Sequence, residues 1–250
     1  MIAPQERYAK QLNFTGLGPA GQARLAAAAV LVCGAGGLGG TLAQLMVRAG
    51  VGRVRVVDRD LVEPSNLNRQ LLFDEDDLGQ PKASLAAAKL AAMNRAVQVE
   101  GLVAEVNPAS IAGLMAGMDL ILDGMDNLTA RYAINDAAIA RQKPWVFADC
   151  VAARGSVMFI DPGRTPCLRC LFPHPPAEGD YPNSDSAGIL GPAASATASL
   201  AAAEALKHLS GNPQAINPGL TTLDLWSGRF RHSAGPQSPA VGCMCGGGEL

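Results

Sequence analysis

Three observations predict an α/β fold: short β-branched strands alternate with Ala/Leu-rich helical stretches through the first half, a glycine cluster joins the first strand to its helix, and acidic residues close two strands. The expected architecture is a Rossmann-like, mainly parallel sheet with helices on both faces, continued by antiparallel strands in the C-terminal part.

Ala29 to Cys33 reads as a short buried strand, Leu38 to Ala49 as a helix, and Arg53 to Asp58 as a strand in which Val54, Val56 and Val57 supply apolar bulk. That is one strand-helix-strand unit. Lys82 to Met93 reads as a second helix, Gln98 to Val103 as a strand, and Ile111 to Met115 as a short helix. Leu120 to Leu122 is a strand ending in acidic residues, Ala130 to Gln142 a third helix, and Trp145 to Ala148 the next strand. After Ala153 the pattern changes. Ser156 to Ile160 reads as an antiparallel strand, and Pro173 to Pro192 as a Pro/Gly/Ser/Asp-rich loop of functional length. Ala194 to Leu209 returns to helical spacing until Gly211-Asn212-Pro213 stops it, and Leu220 to Trp226 with Arg229 to His232 form a hairpin around Ser227-Gly228.

The chain has 250 residues, 20 Lys plus Arg against 22 Asp plus Glu, and a formal net charge of −2. That balance offers no diffuse basic field for nucleic acid or an acidic membrane, so any bound polyanion is a small one held locally. Ala26 to Val47 and Ser186 to Ala203 carry no charge, but Gly34, Gly36, Gly37, Gly39 and Gly40 interrupt the first. The second is mostly Ala and Ser with Gly191 and Pro192, so neither makes a membrane span. Met1 to Lys10 lacks the basic start and apolar block of a secretion signal. The expectation is a cytoplasmic protein whose six cysteines serve as ligands or free thiols rather than disulfides.

Gly34-Ala35-Gly36-Gly37-Leu38-Gly39 follows a strand and opens a helix, and Asp58 stands nineteen residues beyond Gly39 at the end of the next strand. Glycines let the backbone approach phosphate, the helix start offers N–H donors, and a carboxylate at that spacing reaches a ribose hydroxyl. The alternative is a glycine-rich turn needed only for packing. Downstream, Ser65-Asn66-Leu67-Asn68-Arg69-Gln70 and Gly79-Gln80-Pro81-Lys82 add two cations, Arg69 and Lys82. Cations beside a glycine cradle suit a triphosphate, which needs countercharge as pyrophosphate develops, better than a nicotinamide dinucleotide. Each taken singly could equally be a solvated surface cation. Asp123-Gly124-Met125-Asp126-Asn127 places two carboxylates at a strand's carboxyl edge. Asp126 either holds Mg²⁺ with phosphate oxygens, supported by Asp123, or caps the helix that follows.

The ordered set of pieces resembles the ThiF/MoeB/HesA family, bacterial relatives of ubiquitin-activating enzymes. The resemblance covers almost the whole chain. It rests on Arg7-Tyr8-Ala9-Lys10-Gln11, the glycine cluster, Ala49-Gly50-Val51-Gly52, Asp58 with Asp60, Ser65 to Gln70, Gly79 to Lys82, Asp123 to Asn127, Cys167-Leu168-Arg169-Cys170 and the terminal cysteines. It implies an enzyme that condenses ATP with the C-terminal glycine of a small ubiquitin-like sulfur-carrier protein ending in Gly-Gly, giving an acyl-adenylate and pyrophosphate for thiamine thiazole or molybdopterin synthesis. By this resemblance Asp58 binds ribose, Gly37 and Asn66 contact nucleotide, Arg69 and Lys82 stabilise phosphate charge, and Asp126 organises Mg²⁺. Gly34, Gly36, Gly39, Ser65, Gln70 and Asn127 complete the nucleotide contacts. One domain, 1–250, is expected, with 1–153 as the nucleotide-binding half and 154–250 as the half that carries the crossover loop, the cysteines and the carrier contacts.

Three departures from the family pattern bear on the expectation. Lys10 stands where the family has an arginine that reaches the neighbouring subunit's phosphates; lysine keeps the charge and loses the bidentate fork, and a homodimer is still expected. Ser184 stands where the thiamine branch commonly has a cysteine in the loop that crosses the active site. A hydroxyl cannot exchange with sulfur, so a separate sulfurtransferase is expected downstream. The loop is read as a lid that closes on the carrier tail. Cys167 and Cys170 form half of a tetrahedral zinc site that Cys243 and Cys245 would close, with one residue between the second pair where the family usually has two. The alternatives are His174 in place of one tail cysteine, or no metal. Cys33 and Cys150 read as inert core thiols.

Ala194 to Leu209 reads as a close-packing helix with His208 as a charge partner for its C-terminal dipole, and Gly246 to Leu250 as a flexible end. Two other functions compete: a Rossmann NAD(P)-binding oxidoreductase that ignores Arg69, Lys82 and Asp126, and a non-catalytic nucleotide-binding scaffold.

Overall fold

In the computed structural model, residues 2–175, 182–234, 240 and 243–246 are described. One eight-stranded sheet runs through them: β1 (Ala29–Cys33), β2 (Arg53–Val57), β3 (Gln98–Leu102), β4 (Leu120–Asp123), β5 (Trp145–Val151), β6 (Arg154–Ile160), β7 (Leu220–Asp224) and β8 (Arg229–Ser233). Their spatial order is β3-β2-β1-β4-β5-β6-β7-β8. Pairing is parallel from β3 to β5 and antiparallel from β5 to β8. The helices are α1 (Pro4–Arg7), α2 (Ala9–Leu12), α3 (Gly18–Ala27), α4 (Gly37–Ala49), α5 (Lys82–Met93), α6 (Ile111–Leu114), α7 (Leu128–Ala140), α8 (Leu168–Leu171), α9 (Ser184–Ala187) and α10 (Gly191–Leu209).

The central strands β1 and β4 are apolar and buried up to the Asp123 that ends β4, because both faces are covered there. Val30 and Val32 of β1 join Leu42 and Met46 of α4 and Ala198 and Ala202 of α10 on one side. Leu31 and Cys33 point the other way, into a core with Ile134 and Ala138 of α7 and Trp145. The alanines of α10 bring that helix close to α4, and a Cβ added at Gly37 would lie 3.5 Å from Ala194 Cβ.

Chain order reverses between β1 and β4, whose carboxyl ends, Cys33 and Asp123, are register partners. A crevice opens there for reasons of topology alone. The following loops pack so tightly that only glycine serves: a Cβ on Gly39 would lie 1.9 Å from the Gly34 carbonyl oxygen, and one on Gly124 would lie 2.6 Å from Gly39 Cα.

Several elements differ in extent from the sequence expectation. α10 starts at Gly191, three residues before Ala194, with Pro192 in its first turn, where a missing N–H costs nothing. β5 runs on to Val151 because it pairs with β6 along its full length. β7 ends at Asp224, whose Oδ1 accepts the N–H groups of Trp226 at 3.0 Å and Ser227 at 3.1 Å and turns the chain there. α3 was not expected. Within Pro173 to Pro192, α9 forms and Ile189 bridges Ala152; residues 176–181, and with them part of the lid expectation, lie outside the described residues. So do residues 247–250 of the tail. His208 packs on Phe159 at 5.1 Å between ring centres. Burial lowers its pKa, so it is a neutral ring rather than the charged dipole partner expected. No described helix is long and apolar enough to cross a membrane.

Candidate functional site

The crevice widens into a cavity of about 420 Å³, within the size range of small-molecule sites. Gly34, Gly36, Gly37, Asp58, Arg69, Gln70, Lys82, Asp126 and Asn127 all line it, which brings together nine of the residues singled out in the sequence.

Asp58 fastens the glycine loop to the end of β2. Its Oδ2 accepts the Ala35 N–H at 2.7 Å and its Oδ1 accepts the Asp60 N–H at 2.8 Å. Burial raises its pKa, opposed by those two bonds and by the Lys82 charge. Lys82 is the first residue of α5, with a side chain 7% exposed and Nζ 3.6 Å from Asp60 Oδ2. A cation at a helix N-terminus opposes the macrodipole, so its place there is explained by the cavity rather than by the helix. Arg69 Nη1 donates to the Ser65 carbonyl at 2.7 Å and to Asn68 Oδ1 at 3.2 Å, which holds the guanidinium at the cavity wall. Gln70 is buried there with its Oε1 unpartnered, an acceptor suited to a ligand donor.

Asn127 Oδ1 accepts the Ala130 N–H at 2.9 Å and is the cap of α7. Asp126 is therefore not the cap. It is exposed on the cavity rim, and Asn127 Nδ2 donates to its Oδ1 at 3.3 Å. One open carboxylate beside a phosphate-sized space is what Mg²⁺ uses, with phosphate oxygens and waters filling its other positions.

Four expected site residues fall outside the cavity lining. Gly39 serves the close packing described above. Asn66 Oδ1 accepts the Glu63 N–H at 3.1 Å, and Ser65 offers its carbonyl to Arg69, so both shape the turn that carries Arg69 and Gln70. Lys10 is exposed on α2, with no side-chain hydrogen bond or ion pair among the described residues, and does not line its own chain's cavity.

Other residues complete the walls without having been foreseen. Arg59 and Glu105 pair at 2.6 Å along the side next to β2 and β3. Asp149 lines the floor and pairs with Arg131 beneath it. Asp149 was missed because the strand was expected to stop at Ala148, yet a charge continuing an apolar strand is itself a sign of a buried pair. Cys150 also lines the cavity. Burial pushes its thiol up to about 11, which keeps it protonated at neutral pH.

Ser184, at the start of α9, reaches the cavity, so the segment that carries it does lie at the site. A neighbouring groove of about 800 Å³ shares Asp149, Val151, Pro182 and Ile189 with the cavity and runs past Arg154 and Asp224 to Trp226, which is 85% exposed. Ala152, on the groove floor, is held at φ +52 by bonds to Gly188 and Leu190, an uncommon backbone for a side chain with a Cβ.

Outside the cavity lining, the thiol sulfurs of Cys167, Cys170, Cys243 and Cys245 all lie within 4.8 Å of one another. Cys167 is 3.9 Å from Cys170 and 3.6 Å from Cys243, Cys170 is 3.3 Å from Cys245, and Cys243 is 3.5 Å from Cys245. Tetrahedral zinc with bonds of about 2.3 Å sets its sulfurs about 3.8 Å apart, so the cluster fits that ion. The one-residue spacing is accommodated by the turn at Met244–Gly246, in which the Gly246 N–H reaches the Cys243 carbonyl at 2.9 Å. His174 is not part of the cluster.

A switch-point cavity with a glycine loop, a ribose-type carboxylate, cations and an open carboxylate defines a nucleotide-binding protein of the doubly wound α/β class. The chain belongs to the ThiF family, whose model matches residues 8–245. It is 40% identical over 245 residues to a sulfur carrier protein adenylyltransferase of Thermus thermophilus, covering 95% of this chain and 90% of that protein. It is 41% identical over 222 residues to the sulfur carrier protein ThiS adenylyltransferase of Bacillus subtilis, covering 88% of this chain and 65% of the other. The adenylyltransferase and sulfurtransferase MOCS3 of Sus scrofa is 40% identical over 225 residues, and the chain spans 50% of its length. Among solved structures, the microcin C7 biosynthetic enzyme MccB in complex with N-formylated MccA shares the fold, with a TM-score of 0.84, 20% identity, and coverage of 97% of this chain and 75% of the other.

Proposed function

We propose that this chain adenylates the C-terminal glycine of a small ubiquitin-like sulfur-carrier protein, using ATP, for thiamine thiazole or molybdopterin biosynthesis. The observation that carries the reading is the convergence of the glycine loop, Asp58, Arg69, Lys82 and Asp126 on one cavity that adjoins a groove of about 800 Å³. The names of the 40–41% identical relatives support the substrate class.

The reaction is attack of the tail carboxylate oxygen on the α-phosphorus. A new P–O bond forms, the bond to the bridging oxygen breaks, and pyrophosphate leaves with the charge. The protein's work is to align the two anions and to offset charge as it develops. The glycine loop and the start of α4 cradle phosphate, Asp58 holds ribose, and Arg69 and Lys82 face the leaving pyrophosphate. Asp126 would hold Mg²⁺, which supplies countercharge to the phosphates when bound.

Further proposals follow from the same reading. The protein is a homodimer in which Lys10 serves the partner subunit's cavity. The four-cysteine cluster holds structural zinc that ties residues 243–246 to residues 167–170. Residues 1–153 bind nucleotide and 154–250 bind the carrier, and a separate sulfurtransferase consumes the adenylate, since Ser184 offers no sulfur. The compartment is the cytoplasm, where such thiols stay reduced.

The test is exchange of labelled pyrophosphate into ATP, offering carriers of the two pathways separately. Exchange with one carrier, lost in Asp126→Ala, is the expected result. ATP binding without exchange would favour a scaffold, and NAD(P) binding in place of ATP would favour an oxidoreductase.

A further inference from the structure

Beneath the cavity lies a buried charge cluster to which the proposed chemistry gives no task. The Arg131 side chain, 2% exposed, places Nη1 2.6 Å from Asp149 Oδ1 and Nε 3.2 Å from Asp123 Oδ2. Its Nη2 donates to the carbonyls of Met125 at 2.6 Å and Ala148 at 3.2 Å. Asp123 Oδ1 in turn accepts the Met125 N–H at 2.9 Å. The peptide groups on both sides of Met125 are thus gripped from below, and the next residue is Asp126.

Asp149 differs from the other two members in where it lies. Asp123 is fully buried, whereas the Asp149 carboxylate is 11% exposed at the wall shared by the cavity and the groove. It therefore anchors the outer edge of the guanidinium. A guanidinium is a rigid planar fork, so fixing one edge fixes the direction of the others, including the Nη2 that holds the Met125 carbonyl. Asp126 itself has little else to orient it: among the described residues its carboxylate takes one side-chain hydrogen bond, the 3.3 Å contact from Asn127.

We propose that Asp149 is a positioning residue for Asp126. It sets the angle of the Arg131 guanidinium, which holds the Met125 carbonyl and thereby aims the Asp126 carboxylate at a cation carried with the nucleotide. The inference rests on the reading of Asp126 as the magnesium-organising residue. Groups that orient a metal ligand in this way are worth about 10- to 100-fold in metal affinity.

Calorimetric titration of ATP into the parent protein, Asp149→Asn and Asp149→Ala, each with and without Mg²⁺, reads the effect directly. Measurable metal-free ATP binding in each variant shows that its nucleotide site is folded and gives the baseline for that variant's own Mg²⁺-dependent gain. The gain in affinity on adding Mg²⁺ is expected to fall by about tenfold in Asp149→Ala. In Asp149→Asn, whose amide oxygen still accepts from Arg131 without the charge, the loss is smaller and in the same direction. An unchanged Mg²⁺-dependent gain in Asp149→Ala overturns the proposal, whatever its unfolding temperature. Should that variant not bind metal-free ATP, an unchanged gain in Asp149→Asn overturns it instead. Asp126→Ala distinguishes the two ideas: if it too keeps the full gain, the magnesium assignment fails, and if only Asp126→Ala loses the gain, only the positioning role falls.

Discussion

The nucleotide cavity and the four-cysteine cluster lie in one chain but are built by opposite means. The cavity follows from topology. Its glycine loop, Asp58 and Asp126 stand at the carboxyl ends of β1, β2 and β4, strands that pack into the two core clusters of the sheet. The cluster joins Cys167 and Cys170 to Cys243 and Cys245 across more than 70 residues, and its four sulfurs face one another. Four thiols gathered in that way pack poorly by themselves and well around an ion. One site is thus set by the topology of the sheet, and the other is proposed to gain its order from what it binds.

Substitutions in the cavity should have the largest effects on chemistry with little effect on folding. Lys82→Ala is expected to slow pyrophosphate exchange by about 10²- to 10³-fold, the scale for losing one preorganised charge at a developing anion. Its unfolding midpoint should stay close to the parent's, because Lys82 at the start of α5 adds nothing favourable to the helix. Steady-state exchange with thermal unfolding in parallel checks both halves.

Chelation, or Cys170→Ser, should do the reverse. It is expected to cost about 4 kcal/mol of stability, the scale of losing a structural metal, while ATP binding persists. Denaturant unfolding before and after chelator, with metal content measured, is the check. Loss of ATP binding on chelation would show that the two regions are not separable.

A smaller effect sharpens the dimer proposal. Lys10→Ala and Asp126→Ala proteins, each inactive alone, should regain part of the exchange activity when unfolded, mixed and refolded together. Mixed dimers then hold one cavity with an intact Asp126 and an intact Lys10 from the other subunit. No recovery would show that Lys10 does not serve the other subunit's cavity.

The smallest predicted effect concerns the buried charge cluster beneath the cavity. Burial pushes Asp123 up to about 6, against the lowering charge of Arg131. A carboxyl whose folded pKa lies above its unfolded value favours folding when protonated. Its contribution is fully present below about pH 4 and is lost as the pH rises through about 6, by at most about 3 kcal/mol. Asp123→Asn should flatten that part of the stability profile between pH 4 and 7, as read by urea unfolding at several pH values.

What was legible in the sequence follows the same division. Strand-helix-strand periodicity around Gly34 to Gly39 and the acid at the end of β2 locate the cavity because local pattern and topology coincide there. The sequence left two readings of Asp126, helix cap or magnesium ligand, and the structure removes only the first, since Asn127 is the cap. Ser65 and Asn66 belong to the motif and yet serve the turn, since a motif records neighbours in sequence and not which side chains face the ligand. The pairing of Arg131 with Asp149 joins residues from α7 and β5 that no local spacing relates. The one-residue gap between Cys243 and Cys245 looked like strain until the turn at Met244–Gly246 brought their sulfurs to 3.5 Å.

The central claim is that a carrier's terminal glycine is joined to AMP in this cavity. The most direct test is intact-mass analysis of thiamine- and molybdopterin-pathway carriers after incubation with the protein, MgATP and pyrophosphatase. An AMP adduct on the C-terminal glycine of one carrier, absent when that glycine is removed and formed far more slowly with Lys82→Ala, is the predicted result. ATP bound in the cavity with no adduct on either carrier would contradict the claim.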